Sequence, residues 1–320
     1  MKYPVLSVVA TLFVVICATS AEASSGSIGT YNLILLEDYD FNGGDVEGKS
    51  IIGGNLNAAG KAVEFGSRLP DTNSAIDAVT IVGDINANHV TIQNGNNIVY
   101  GSNSSHANFN LNGSGGSALQ RSQTELESEI AAVFTDIYND SLYFNSLATN
   151  GSFSGPGNQS SLSFSGSESV AVFNVNASDV FAQNNSLSLQ QASASTVVIN
   201  VAGTDITAGG GVNLTNGFSQ QTATNIVWNF FEATTINFNN LALKGSVLAP
   251  YADTTGGSSF DGAFAAVSYT GAREFHNFLF DYDTPAPTPP TTQVNAPASL
   301  ALFALGLGLV FRTRRNRQRS

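Results

Sequence analysis

Between its two ends, the chain is built from short runs of β-branched and aromatic residues that are separated by glycine, asparagine and serine. Each run has the length of a strand, and the residues around it favour turns. Examples are 49–52, 79–82, 90–92, 170–173, 196–199 and 225–228. This pattern predicts a mainly β protein.

Asparagine is frequent, with 33 among the 320 residues. It tolerates left-handed backbone conformations at turns, and its amide can form ladders between stacked coils. We therefore expect one domain over residues 24–283, with the fold of an irregular β-solenoid that resembles a β-helix. The runs show no clean repeat period, so a β-sandwich is the alternative.

One segment, 117–148, has the apolar spacing of three, four and seven that marks one face of a helix. Ser117 and Gln120 have the form of a capping box, and Asn150 with Gly151 supplies a stop. The sequence predicts one long α-helix that packs along the β core. Its apolar stripe comprises Leu119, Leu126, Ile130, Val133, Phe134, Ile137 and Leu142.

The first 23 residues have the order of a secretory signal peptide. Lys2 precedes the apolar run 5–18, and Ala21-Glu22-Ala23 is a small-x-small cleavage site. The single cysteine, Cys17, lies inside the apolar run. The residues just before it do not include the small residue that a lipoprotein signal needs ahead of its cysteine. The mature chain is therefore expected to be exported without a lipid anchor or a disulfide.

The other end predicts a sorting tail over residues 294–320, after a Pro/Thr-rich linker at 284–293. Its apolar segment, 298–311, gives roughly 21 Å of helix against a hydrocarbon core of about 30 Å. Five arginines follow and hold that end in the cytoplasm. We expect a short transmembrane segment that anchors the protein transiently in the inner membrane, with a plain tail anchor as the alternative.

The tail resembles a PEP-CTERM sorting signal in its order of short motif, apolar helix and basic end. The motif residues are Val294, Asn295, Ala296, Pro297, Ala298 and Ser299. Asn295-Ala296-Pro297 stands where the family usually has Pro-Glu-Pro. The resemblance implies an exosortase-type processing enzyme as partner, and display at the cell surface, outer envelope or extracellular matrix.

The expected mature core is strongly acidic. Without Lys2, Glu22 and the five tail arginines it keeps 6 basic and 23 acidic residues, a net charge of −17. Such a surface repels nucleic acid and anionic membranes, and accepts neutral glycans or divalent cations more easily. We therefore expect no nucleic-acid partner.

Catalytic motifs are missing from the sequence. His89, His106 and His276 lie in separate contexts with no metal-ligand spacing, and neither a nucleophile elbow nor a phosphate-binding loop occurs. His276 is interpreted as a structural residue. We predict no catalytic residues and no enzymatic activity, although carboxylate pairs that meet only in space escape sequence reading.

The segment from Asp38 to Asp45 carries the one candidate cofactor site. Asp38, Asp40 and Asn42 match the first half of a calcium loop, but Lys49 stands where an EF-hand needs its glutamate. A looser Ca²⁺ site formed by Asp38, Asp40, Asn42 and Asp45 is the hypothesis. A turn rich in Asp and Asn that joins two strands is the alternative.

Two blocks, 31–56 and 225–278, are similar to the choice-of-anchor A domain of exported bacterial proteins. Their most specific pieces are Asp45-Val46-Glu47-Gly48, Gly53-Gly54-Asn55, Trp228-Asn229-Phe230, Gly245–Pro250, Asp261-Gly262 and Glu274-Phe275-His276. The resemblance implies surface or matrix association without enzymatic activity. It also implies architectural kinship with β-solenoid ice-binding proteins that carry a helix beside their coils.

We therefore expect an exported, non-catalytic protein in adhesion or in the exopolysaccharide matrix of a biofilm. An enzyme that acts on exopolysaccharide is one alternative, and it needs a cleft with two facing carboxylates. An ice-binding protein is the other, and it needs a flat array of threonines. Thr80 and Thr91 are the candidate rungs of such an array.

Overall fold

The computed structural model describes residues 26–71, 76–106, 108–155 and 157–282. The chain divides into two units, 1–284 and 285–320, and all described residues belong to the first. The signal peptide, the linker and the sorting tail lie outside the described residues, so what the sequence predicts for them stays a prediction.

Short parallel strands make up most of the described structure. The helices are α1 (Gln123–Ser146), α2 (Ala177–Val180) and α3 (Gln220–Ala223), and a 3-10 helix covers Ser27–Gly29. The strands are β1 (Leu33–Leu35), β2 (Tyr39–Gly43), β3 (Ser50–Ile52), β4 (Leu56–Asn57), β5 (Ala62–Phe65), β6 (Asp77–Ile81), β7 (Ile85–Asn86), β8 (His89–Ile92), β9 (Asn97–Gly101), β10 (Asn108–Leu111), β11 (Ala118–Arg121), β12 (Ser152–Ser154), β13 (Gln159–Ser163), β14 (Val170–Asn176), β15 (Ser186–Gln190), β16 (Thr196–Ala202), β17 (Asp205–Thr207), β18 (Asn213–Leu214), β19 (Ile226–Asn229), β20 (Thr235–Asn237), β21 (Leu243–Lys244), β22 (Ser246–Thr255), β23 (Ser259–Asp261), β24 (Phe264–Ala272) and β25 (Glu274–His276).

The strands stack into three faces. The first, here called the covered face, has the order β11-β9-β6-β3-β1-β24-β22-β19-β16-β14. The second, the open face, has the order β7-β4-β2-β24-β22-β20-β17, because β22 and β24 are long enough to continue into it. The third face contains β10-β8-β5, β21-β23-β25 and β12-β13-β15-β18.

Among the described strands, every pairing is parallel except that of β12 with β13. Parallel stacking of successive coils confirms the predicted β-solenoid and excludes the β-sandwich, whose strands pair antiparallel. The coils differ in length, from 17 residues between Leu33 and Ser50 to 29 between Ser50 and Val79. This variation explains why the sequence shows no repeat period.

The chain does not stack its coils in sequence order. From β1 the coils add outward to β11, and after α1 they begin at the opposite end with β14 and add inward to β24. There, Phe264 in β24 pairs with Leu33 in β1. We call this junction the seam. The two family-like blocks, which are distant in sequence, therefore form the central coils together.

Helix α1 begins five residues later than the capping-box pattern indicates. Its N-cap is Ser122, whose side chain accepts a hydrogen bond from the backbone N–H of Glu125. The predicted start at Ser117 is wrong because β11 pairs with β9 as the last strand of the covered face. The predicted stripe is otherwise confirmed, except that Leu119 and Leu142 are exposed.

The helix crosses the coils one after another. Gln123 donates to the carbonyl of Val82 near β6, whereas Ser141 donates to the side chain of Asn229 in β19. At 1.5 Å per residue, its 24 residues span about 36 Å, enough for several strands at about 4.8 Å each. Except for the end strand β11, which is mostly exposed, the strands of the covered face are therefore packed between the coil interior and α1. This burial explains their continuous apolar runs.

Candidate functional site

The open face carries two rows of polar side chains that point away from the coil interior. They occupy the outer positions of seven triplets whose middle residue is buried, such as Asp205-Ile206-Thr207. Strand pairing brings the triplets into register. The first row is Asp205, Thr235, Asp253, Ser268, Asp38, Asn55 and Asp84, and the second is Thr207, Asn237, Thr255, Thr270, Asp40, Asn57 and Asn86.

Strand geometry makes this surface regular. Seven strands at about 4.8 Å give each row a length of about 29 Å, and two residues along a strand set the rows about 7 Å apart. The buried middle side chains, Ile206, Ile236 and Leu56 among them, anchor the strands to the interior. The result is an extended surface of hydroxyl, amide and carboxylate groups.

Neighbouring strands hold these polar groups in place. Thr270 Oγ1 donates to Asp40 Oδ2 at 3.1 Å, and Asn57 Nδ2 donates to Asp40 Oδ1 at 2.9 Å. Asn86 continues the ladder by donating to Asn57 Oδ1 at 3.0 Å. Because these four side chains restrain one another, they have little conformational entropy left to lose when a ligand binds.

The predicted calcium residues are only partly brought together. Asp38 and Asp40 lie in the two rows of the open face, and Asn57 donates to both. Asn42 is exposed and accepts from Lys61 at 3.4 Å. Among the residues that the structure describes, no group of three or more His, Cys, Asp or Glu side chains is arranged to hold a metal ion. Calcium binding stays a prediction.

Asp45 lies apart from the other three residues of that set. The chain leaves β2 through Gly43 and Gly44, and a Cβ on Gly44 would lie 2.2 Å from the carbonyl oxygen of Arg273. Beyond this close approach, burial raises the pKa of Asp45, and the nearby carboxylates of Glu274 and Glu47 raise it further. Asp45 lies beside the third face, because its carbonyl accepts from the backbone N–H of Phe275 in β25.

The two threonine rungs proposed for ice binding are not on a common surface. Thr80 is 1 % exposed and lies in the covered face, between Ile51 and Val99. Thr91 is 9 % exposed and lies in β8 of the third face. The interpretation of Thr80 and Thr91 as an exposed array is therefore wrong, because both side chains are buried.

The sequence contained a signal for the open face that was overlooked. Polar–buried–polar triplets such as Thr235-Ile236-Asn237 and Asp84-Ile85-Asn86 recur along the chain. Each triplet is only three residues long, and the unequal coil lengths hide their common register.

Comparison with known protein families shows which family the chain belongs to. Residues 24–277 match the family model described as "Putative Ice-binding-like adhesive domain". The match covers well over half of the chain. The chain belongs to this ice-binding-like adhesive domain family. No curated protein and no solved structure matches it. Membership indicates an adhesive type of protein that is exposed at the surface or extracellular.

The ice-binding-like adhesive domain also carries a charged cluster on its third face. Asp261 is fully buried and is shared between Lys244 and His276 Nδ1, while His276 Nε2 lies 3.2 Å from Glu274. Burial opposes protonation of the imidazole, but the hydrogen bonds to Asp261 and Glu274 outweigh it and raise the pKa of His276. The ion pairs support the interpretation of His276 as structural.

The sorting motif that the sequence predicts at Val294 to Ser299 lies outside the described residues and stays a prediction. Within the described part of the chain, no helix is both long enough and apolar enough to cross a membrane.

Proposed function

We propose that this domain is a non-catalytic adhesive module that attaches to exopolysaccharide, in a biofilm matrix or on a cell surface, through its open face. The observation that carries the proposal is the pair of polar rows, about 29 Å long. Cross-strand hydrogen bonds restrain the second row from β24 to β7. An extended polysaccharide chain can contact such a surface at many points.

The chemistry of the rows fits sugar hydroxyls. Threonine, asparagine and aspartate offer donors and acceptors in close pairs, and neighbouring hydroxyls of a sugar ring can bridge such pairs. Five of the row residues are aspartates, Asp38, Asp40, Asp84, Asp205 and Asp253. With a net core charge of −17, they favour a neutral polysaccharide over an anionic one.

Ice is the second candidate ligand, because the rows are flat and evenly spaced. The five carboxylates weigh against it, since ionised groups hold their own hydration shell strongly. An assay of ice recrystallisation inhibition separates the candidates. Polysaccharide adhesion predicts no inhibition by the wild-type chain.

The test of the open face is co-sedimentation of the purified full-length chain with insoluble cellulose, chitin and β-1,3-glucan. We expect binding to at least one of them, and we expect Thr255→Lys at the centre of the face to weaken it at least tenfold. Thr124→Lys makes the same charge change at an exposed position of α1 and serves as the control. Equal binding by the two variants contradicts the proposal.

Catalysis is the competing class of function. Three acids near His276 are candidates for such a role, but each has a structural partner: Glu47 pairs with Arg68, Asp261 with Lys244, and Glu274 with His276. Incubation with the bound polysaccharide should release no reducing ends. Release that disappears in Glu47→Gln would establish an enzyme instead.

We further propose that display follows the choice-of-anchor A and PEP-CTERM pattern, with an exosortase-type enzyme removing the basic end. Mass spectrometry of the surface-localised protein is expected to lack peptides from residues 312–320. Intact tail peptides as the dominant species would favour a plain tail anchor.

A further inference from the structure

A small cavity of about 190 Å³ lies beside the C-terminal part of α1, on the outer side of β14 and β16. Ala202, which pairs with Asn176, contributes only a methyl group to its lining. Its wall residues are Asn145 from α1, Asn174, Asn176 and Asn200 from the strands, and Phe231.

Buried hydrogen bonds fix the amides of this cavity. Asn200 is 1 % exposed, and its Nδ2 donates to the carbonyl of Phe144 and to Asn174 Oδ1. Its Oδ1 accepts from Asn229, whose amide also bonds to Ser141 of the helix. The floor of the cavity is therefore rigid.

The remaining amide groups face outward with unused capacity. Among the described residues, Asn174 Nδ2 and the side chain of Asn145 have no hydrogen-bond partner. Asn176 donates to Asp179 but receives no bond at its Oδ1. The cavity thus presents both donors and acceptors, which suits the hydroxyl groups of a sugar.

Beyond the residues that line the cavity, aromatic and apolar side chains lie further along α1. Tyr138, Leu142 and Asn145 lie on one side of the helix, because residues four and three apart are neighbours there. Tyr251 is 46 % exposed, and its ring lies 5.2 Å from that of Tyr138, while Leu142 is 61 % exposed. From Tyr138 to Asn145 the helix rises about 10 Å, which is comparable to a disaccharide.

None of the residues that line the cavity is charged, although the mature core has a net charge of −17. The nearby carboxylate of Asp179 is paired with Asn176. Amides that fix orientation beside exposed rings are typical of sites for small polar ligands with apolar faces. We propose that this groove binds a neutral oligosaccharide of two or three sugar units, at a site separate from the open face. The sugar hydroxyls bond to Asn145, Asn174 and Asn176, and the ring faces pack on Phe231 and Tyr251.

The test is titration of the full-length chain with cellotriose, maltotriose, mannotriose and chitotriose, followed by calorimetry and ligand-observed NMR. At least one trisaccharide should bind saturably. Ala202→Leu fills the cavity from its solvent side and should weaken binding at least tenfold, and Tyr251→Ala should also weaken it. Asn139→Ala, on the exposed side of α1, is the control and should bind normally.

Failure of all four sugars to bind, or wild-type affinity in Ala202→Leu, overturns the proposal. Sedimentation velocity tests whether the wild type is a dimer that Ala202→Leu dissociates. That result would mean that the groove binds a second copy of the chain, and it also overturns the proposal. Thr255→Lys keeps the two sites distinguishable, because it should weaken adhesion to insoluble polysaccharide at least tenfold and leave trisaccharide affinity unchanged.

Discussion

The covered and open faces are built from the same coils but carry different outward side chains. The coil that contains β16 and β17 shows this within one turn, since Val198 packs under the helix whereas Asp205 and Thr207 face solvent. Toward the interior, both faces present apolar residues such as Val197 and Ile206. The side chains that point into the coil determine the fold, and the side chains that point outward determine what each face contacts.

The largest expected effect comes from the helix that closes the covered face. Phe134 is 2 % exposed on the buried side of α1, so Phe134→Ala should lower the free energy of unfolding by about 3–5 kcal/mol. Leu142→Ala, at an exposed position of the same helix, should change it by less than about 0.5 kcal/mol. Urea denaturation measures both. Similar losses in the two variants would show that α1 does not close a core.

The next largest expected effect is the difference in unfolding free energy lost when each of two asparagine ladders is interrupted. Asn229 is fully buried and bonds to Ser141 and Asn200, so Asn229→Ala leaves buried polar groups without partners and should cost about 2–3 kcal/mol. Asn86 ends an exposed ladder on the open face, and Asn86→Ala should cost at most about 0.5 kcal/mol. Equal costs in urea denaturation would mean that burial does not separate the two ladders.

The ion pairs of the third face should give a pH-dependent contribution. The pKa of His276 is raised in the folded state, so its stabilising effect is complete below the unfolded value of about 6.5 and is lost as pH rises through the folded pKa. The melting temperature of the wild type should therefore fall more between pH 6 and pH 9 than that of His276→Asn. If the melting temperatures of the two proteins change with pH in the same way, His276 does not contribute to the pH dependence of stability.

The smallest effect concerns calcium at the open face. Asp40→Ala should cost at most about 1 kcal/mol in calcium-free buffer, because Asp40 is only half-buried. It should also reduce any rise in melting temperature that millimolar Ca²⁺ gives the wild type, since a bound cation stabilises the native state by mass action. Asp205→Ala, at the far end of the face, is the control. A wild type that does not respond to Ca²⁺ eliminates the site.

Sequence reading succeeded where the pattern was local. The runs at 196–199 and 225–228 became β16 and β19, and the stripe from Leu126 to Ile137 became the buried side of α1. The asparagine ladders were also anticipated, and Asn174, Asn200 and Asn229 form one.

Sequence reading failed where function depends on the alignment of coils that are distant in sequence. Asp40 and Thr270 meet across 230 residues, and no spacing along the chain indicates that contact. Thr80 appeared to belong to an exposed array because its alternation with Val79 and Ile81 is that of a half-buried strand. In the structure α1 covers the other side of that strand, and only tertiary packing places the helix there.

The seam between β1 and β24 also affects how the domain can fold. Asn32, at the start of β1, donates to the carbonyl of Gly262, 230 residues later in the chain. Until β24 has left the ribosome or the export channel, β1 lacks one of its two neighbours. Pairing that is so distant in sequence slows folding, because chain closure must precede the contacts that reward it. The central coils should therefore be completed last, once both halves of the chain are available for pairing.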